Sequence, residues 1–220
     1  MYTRYCMSQV DFMNPVEIRP MNRGDFKAVQ EIVRKTWDFD KMADRPREAL
    51  YMSAVYLSSC IGQSRYCRVA CIDGQIAGVI MGRCGRAPLL MPKEYWGIFL
   101  TALAGAACSR RCRRLARLFG GFSKDNEALL KNCRQRFDGE ICLFAVDEVF
   151  RGRGIGVQLF EDMKEYLKKQ HAKSFYLFTD TSCTYEFYDC HGMLRLGEKK
   201  VNMRPHLNKD MYLYIYGAAL

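Results

Sequence analysis

Between Phe150 and Val157 the chain reads Arg151-Gly152-Arg153-Gly154-Ile155-Gly156, three alternating glycines with two arginines among them. Amides at the start of a helix have no intrahelical partner and carry partial positive charge, so they bind phosphate oxygens. Glycine removes the Cβ that would hold a diphosphate away, and it admits the turn; Arg151 and Arg153 add full charges. The chemistry such a turn serves is diphosphate binding. It is not a Walker loop, since G-x-x-x-x-G-K-[ST] does not occur. Nor is it a Rossmann turn, which would need glycine at 157, where Val157 stands. Cys190-His191 invites a nucleophile reading, but neighbours on a helix point about 100° apart and cannot form a couple. With three histidines and no C-x-x-C, no metal site is expected.

A phosphate turn needs a strand before it and a helix after it. Residues 141–146, Ile-Cys-Leu-Phe-Ala-Val, are an unbroken apolar run, as in a strand buried on both faces. After the glycines, Ile155, Leu159, Phe160, Met163, Tyr166 and Leu167 form one helical stripe. Glu161 and Asp162 lie towards the start of that helix and Lys168 and Lys169 at its end, in keeping with the helix dipole. Residues 175–178 form a short apolar strand suited to lie parallel after the crossover. Upstream, 16–19 alternates as a strand, Asn22 or Asp25 can cap a helix through Trp37, and Pro46 suits the first turn of a second helix ending near Gly62. Asp73-Gly74 between the apolar runs 66–72 and 75–81 signals a β-hairpin. Downstream, 185–190 reads as helix, and 196–203 and 211–216 as two last strands.

Composition fits a folded globule: of 220 residues 49% are hydrophobic and 26% charged, with 13 Tyr and 13 Phe, too many for a solvated chain. The start, Met1-Tyr2-Thr3-Arg4-Tyr5-Cys6, lacks a secretion-signal pattern. The uncharged run 95–109 has 15 residues against the roughly 20 of a membrane span. Eleven cysteines are an odd count for a disulfide framework, and reduced thiols in the cytoplasm are the simplest account. The net charge of +10 is concentrated in 84–139, which holds 11 Lys/Arg against 4 Asp/Glu. Pro88 and Pro92 open this stretch. It reads as a basic helical insertion, with a helix over 95–118 broken by Gly120-Gly121 and more helix after Asn126. Its arginines at 110, 111, 113, 114 and 117 form a cationic face that favours anionic partners.

Arg151, Gly154 and Gly156 satisfy the pattern [QR]-x-x-G-x-[GA], and Phe187-Tyr188-Asp189-Cys190-His191-Gly192-Met193 is close to F-Y-x-x-x-G-F. With these two motifs at this separation the chain resembles the GNAT superfamily of acyl-CoA-dependent N-acetyltransferases. The resemblance covers 16–216 apart from the insertion; Met193 replaces a usual Phe, and Glu148 stands where the family has Pro. It implies an α/β fold whose central mixed sheet has two splayed parallel strands, helices on both faces, and the helical insertion before the motif strand. On this reading 1–220 is one acyltransferase domain, with acetyl-CoA as cosubstrate and no metal.

The resemblance also implies roles. The pantetheine arm would slide between the splayed strands and pair with the backbone of Phe144, Ala145 and Val146. The turn from Arg151 through Gly152, Arg153, Gly154 and Ile155 to Gly156 would hold the diphosphate. Tyr188 falls on the tyrosine that protonates the leaving thiolate, against a plain core aromatic. Glu140 matches the glutamate that deprotonates lysine in the histone-acetylating branch; Asp147, Glu148 or a water chain are alternatives, and Asp180 could orient the acceptor. The expected reaction is direct attack of an amine on the thioester. The acceptor is a small-molecule or peptide amine, and a homodimer stays open. Two other readings stay open too: a non-catalytic CoA-binding sensor, and a nucleic-acid-interacting protein using the arginine patch at 110–117.

Overall fold

The computed structural model describes residues 15–85, 91–202 and 210–220. Pro88 and Met203, named above, lie outside the described residues.

The first strand, β1 (Glu17–Pro20), leads into a capping box. The Asn22 side chain accepts from the amide of Gly24, and Asp25 accepts from the amide of Asn22 at 2.8 Å. Helices α1 (Phe26–Thr36), α2 (Phe39–Met42) and α3 (Pro46–Gln63) follow, with Pro46 in the first turn of α3. Strands β2 (Tyr66–Ile72) and β3 (Gln75–Cys84) form the expected hairpin. Asp73 and Gly74 have φ of 51° and 75°, the double left-handed turn that matches strand twist. Helices α4 (Lys93–Cys108) and α5 (Arg110–Asn132) come next, then β4 (Gly139–Val146), α6 (Ile155–Lys169), β5 (Ser174–Asp180), α7 (Glu186–Cys190), β6 (Leu194–Asn202) and β7 (Asp210–Ala219).

The seven strands make one sheet in the order β1-β2-β3-β4-β5-β7-β6, antiparallel throughout except between β4 and β5. Helices cover both faces. One core joins α1 and α3 to Val79, Met81, Leu143 and Ala145; the other joins α6 to Ile80, Ile141, Phe175 and Tyr216. A third cluster sets Leu129 of α5 against Met211, Leu213 and Ile215 of β7. Helix α5 therefore reaches from α3 across to the far strands.

Two expectations change. The break in the long helix falls at Ser109, not at Gly120-Gly121, through which α5 runs unbroken. Ser109 is extended (φ −95°, ψ 129°), its hydroxyl accepts from the amide of Cys112, and it donates to Glu48 of α3 at 2.6 Å. A cap and a tertiary bond at Ser109 outweigh the roughly 1 kcal/mol penalty of each mid-helix glycine. The second change is in β4, which is not buried on both faces: Ile141, Leu143 and Ala145 are buried, while Glu140, Cys142, Phe144 and Val146 are only half-buried.

Candidate active site

The half-burial of β4 has a local cause. In the pairing with β3, Gly82 lies opposite Ile141 and Met81 opposite Leu143, so Cys142 is an extra residue without a partner. Such a bulge bends a strand and increases its twist. On its other side β4 pairs with β5 only at Gly139, Glu140 and Ile141. From Cys142 onward the two parallel strands part, while β5 keeps its pairing with β7 to Asp180. Gly82 permits the bulge, since a Cβ there would stand 2.6 Å from the carbonyl oxygen of Glu140. The backbone of Phe144, Ala145 and Val146 thus borders a gap between strands.

At the end of β4, Asp147 caps a single 3-10 turn, Glu148–Phe150, by accepting from the amide of Val149 at 3.1 Å. This turn makes the bend with Glu148 in the position where the resembled motif has Pro. Gly152 and Gly154 take φ of 76° and 74°, and nothing lies within 4 Å of where their Cβ atoms would be. Gly154 is the N-cap of α6, so the amides of Ile155, Gly156 and Val157 open the helix without intrahelical partners. The turn from Arg151 to Gly154 is exposed. Arg153 sits over the ring of Phe150 at 5.5 Å, and Arg151 folds back to donate to the carbonyl of Val146 at 3.2 Å. Gly156 has no left-handed φ; its Cβ would meet Phe187 and Phe144 at ordinary contact distances of 3.5 and 3.6 Å.

The other motif lies beside the gap. Helix α7 ends at Cys190, and Gly192 takes the left-handed conformation (φ 75°) that closes so short a helix. Met193, in the position where the resembled motif has Phe, is buried. Tyr188 is buried, its ring 6.5 Å from those of Phe144 and Phe160 and 5.5 Å from that of Tyr216. Burial, with Cys183 and Asp180 nearby, pushes its phenol well above the ordinary range, so it stays protonated. His191 is stacked on Phe187 at 4.0 Å with Nδ1 against the Phe187 carbonyl, apart from any thiol chemistry.

Glu140 faces the opposite side of the sheet from α6. Its Oε2 accepts from Nε and Nη2 of Arg83 at 2.9 and 2.5 Å. The pair is mostly buried, with side chains 22% and 13% exposed. Burial works against the charge of Arg83, but attraction to Glu140 outweighs it and holds the guanidinium above its ordinary value. The Tyr176 phenol beside Glu140 is pushed up by burial and by that carboxylate. Arg83 and Tyr176 were not foreseen: no local pattern tells which strand faces β4, and β3 runs three residues beyond Met81.

Glu140, Phe144 and Tyr188 line one cavity of about 1450 Å³, whose other walls include Tyr56 and Cys60 of α3 and Phe119 of α5. Asp180 lines it too, accepting from the amide and hydroxyl of Ser182. The glycine turn does not line the cavity; it lies at the far end of the gap. Thiols near the cavity are held neutral by burial: Cys142 is pushed up to about 12 and Cys183 to about 11. Neither offers a thiolate nucleophile at neutral pH. An exposed glycine turn with open helix amides, a gap between β4 and β5 and a cavity lined by a protonated phenol and a carboxylate thus follow one another along β4.

The profile of the Acetyltransferase (GNAT) family matches residues 26–193. No curated protein matches the sequence. Among solved structures, NAA60 of Arabidopsis thaliana in complex with a bisubstrate analogue superposes with a TM-score of 0.54 at 14% identity, over 93% of this chain and 98% of the other. An N-acetyltransferase from Staphylococcus aureus Mu50 gives 0.53 at 13% identity, over 94% and 99%. The NatC complex bound to Gag peptide and CoA gives 0.51 at 15%, over 93% and 98%. At these identities the likeness is one of fold.

Proposed function

The chain belongs to the GNAT family of acetyltransferases, and on that premise we propose that it transfers an acetyl group from acetyl-CoA to a primary amine by direct attack. The observation that carries the reading is the parting of β4 from β5 after Ile141, next to a glycine turn that leaves its amides free. Phe144, Ala145 and Val146 would pair with the pantetheine arm, as an added strand does. Arg151, Gly152, Arg153, Gly154, Ile155 and Gly156 would hold the diphosphate, with Arg151 swinging off Val146 or bridging to a phosphate. The fit is supported by the open space where Cβ atoms of residues 152 and 154 would stand.

Acetyl-CoA supplies the acyl group activated as a thioester. Glu140 is the proposed base: Oε1 is left outside the ion pair with Arg83 and would take the proton that the amine loses as its nitrogen bonds to the acyl carbon. Tyr188 is the proposed acid, giving its phenolic proton to the sulfur as the carbon–sulfur bond breaks. The cavity under α5 would receive the acceptor. We read the chain as one such domain with 84–139 as its insertion, since β3 and β4, on either side of that stretch, pair directly. The ten described cysteines are all free, which supports a reducing, cytoplasmic setting.

The test is calorimetric titration with acetyl-CoA followed by an amine panel, with free CoA quantified by chromatography. Tyr188→Phe should lower kcat by about 10²–10³-fold and leave acetyl-CoA affinity within about twofold. Failure to bind acetyl-CoA would overturn the reading. Binding without product across the panel would leave a CoA-binding module in its place.

A further inference from the structure

Past Lys93 and Glu94 in its first turn, helix α4 is apolar all round: from Tyr95 to Cys108 it carries no charged residue. A helix of that composition is ordinarily buried on every side. Here one side only is covered, by Tyr95, Ala102 and Ala106 packed towards α3, with Gly105 admitting the ring of Tyr51. Away from that side the helix exposes Trp96 (46%), Leu100 (53%) and Leu103 (43%) at helical spacing, Leu103 also lining the cavity described above, and Ala104 and Ala107 continue the stripe. Past Ser109 come Arg110, Arg113, Arg114 and Arg117, all exposed. Arg113 donates to the carbonyl of Ala107, which sets its guanidinium at the end of the apolar stripe. Among the described residues of the cluster, Arg111 alone has a carboxylate partner, Asp44 at 3.6 Å.

We propose that the outward face of α4 and the adjoining arginines seat the protein on an anionic phospholipid surface. A stripe of Trp and Leu beside a block of arginines matches the order of a bilayer interface, with hydrocarbon next to phosphate. A helix of 16 residues is about 24 Å long, short of the roughly 30 Å hydrocarbon core, so it lies along the surface. Nucleic acid would engage the arginines but give Leu100 and Leu103 nothing to bury against. A second copy would bring its own cations, and 84–139 holds 11 basic against 4 acidic residues; of those four, Asp125 is already paired with Lys199.

The experiment is co-sedimentation of the full chain with mixed phosphatidylcholine–phosphatidylglycerol vesicles and with pure phosphatidylcholine vesicles, read alongside tryptophan fluorescence. Binding should be at least about tenfold tighter to the anionic vesicles and weaken with salt. Emission should shift to the blue, and Trp96→Phe should abolish the shift, leaving the signal of half-buried Trp37. Leu100→Glu/Leu103→Glu and Arg113→Glu/Arg114→Glu should each weaken binding about tenfold or more. All four positions are exposed, and a thermal melt checks that each variant is folded. No preference for anionic vesicles, or binding unchanged in either variant, overturns the proposal. So does a wild-type dimer that the leucine variant dissolves without any vesicle binding, or binding of an RNA oligomer that only the arginine variant loses.

Discussion

Glu140 and Arg83 face each other across two strands in a mostly buried ion pair, and their energetics are separable from any role in turnover. Taking one partner away from a buried pair leaves the other charged and desolvated, which costs about 3–5 kcal/mol when burial is complete. Residual exposure of 22% and 13% lets water reach the orphaned group, so Arg83→Met should lower the unfolding free energy by about 2–3 kcal/mol. The double variant Arg83→Met/Glu140→Gln removes both charges and should recover roughly half of that loss. Urea denaturation of the two variants decides it: a double variant no more stable than the single one would mean that Arg83 acts through packing alone. Glu140 was named from the sequence only through the resemblance, and the structure sets it in the cavity wall. Arg83 was not named, because its partnership depends on a register between strands 57 positions apart.

The glycine turn makes two different demands that its sequence pattern presents as one. Gly154 needs a left-handed backbone (φ 74°) at the N-cap of α6, whereas Gly156 lies within the helix, with ordinary room for a Cβ. Gly154→Ala should cost about 1–2 kcal/mol of stability and weaken acetyl-CoA binding by about tenfold, since a strained cap displaces the amides. Gly156→Ala should leave the melting temperature unchanged or raise it, by up to about 1 kcal/mol in stability. Thermal melts of the two variants side by side check this, and equal losses would refute the distinction. The strand, turn and helix around these glycines, like the Asp73-Gly74 hairpin, were legible because every signal is local. The end of α4 was not: Ser109 ends it by bonding to Glu48, 61 positions away, while the two glycines that looked like the break sit in open space. The parting of β4 from β5 was expected only through the resemblance; its cause, the unpaired residue Cys142 between the pairs Gly82–Ile141 and Met81–Leu143, is a property of two strands together.

At the scale of the molecule, the two cores on either side of the sheet make stability depend on pH from both ends. Asp25 ties β1 to α1: hydrogen bonding to Arg19 holds its carboxyl below the ordinary range, against the opposing effect of burial. Glu48 ties α3 to the start of α5, and the Ser109 hydroxyl, with the amides of Asp44 and Arg45, lowers it likewise. Carboxyls lowered on folding give stability that is present above their unfolded values, near pH 4, and lost as pH falls through the folded ones. The buried thiols act in the other direction. Burial raises Cys67 and Cys183 to about 11 and Cys142 to about 12, from 9.0, and Cys60 further still. The unfolded chain therefore releases protons first as pH rises, and the stability these thiols contribute is whole below pH 9 and lost above it. Each contributes a slope of about 1.4 kcal/mol per pH unit between its two values. Denaturation midpoints measured in reductant from acid to alkaline pH should show a plateau with two falling limbs. Asp25→Asn should flatten the acid limb and leave the alkaline one; Cys183→Ala should remove one proton from the alkaline slope and leave the acid one. An alkaline limb unchanged by Cys183→Ala would mean that this thiol meets water in the folded protein, and that the cavity it lines opens more widely than its walls imply.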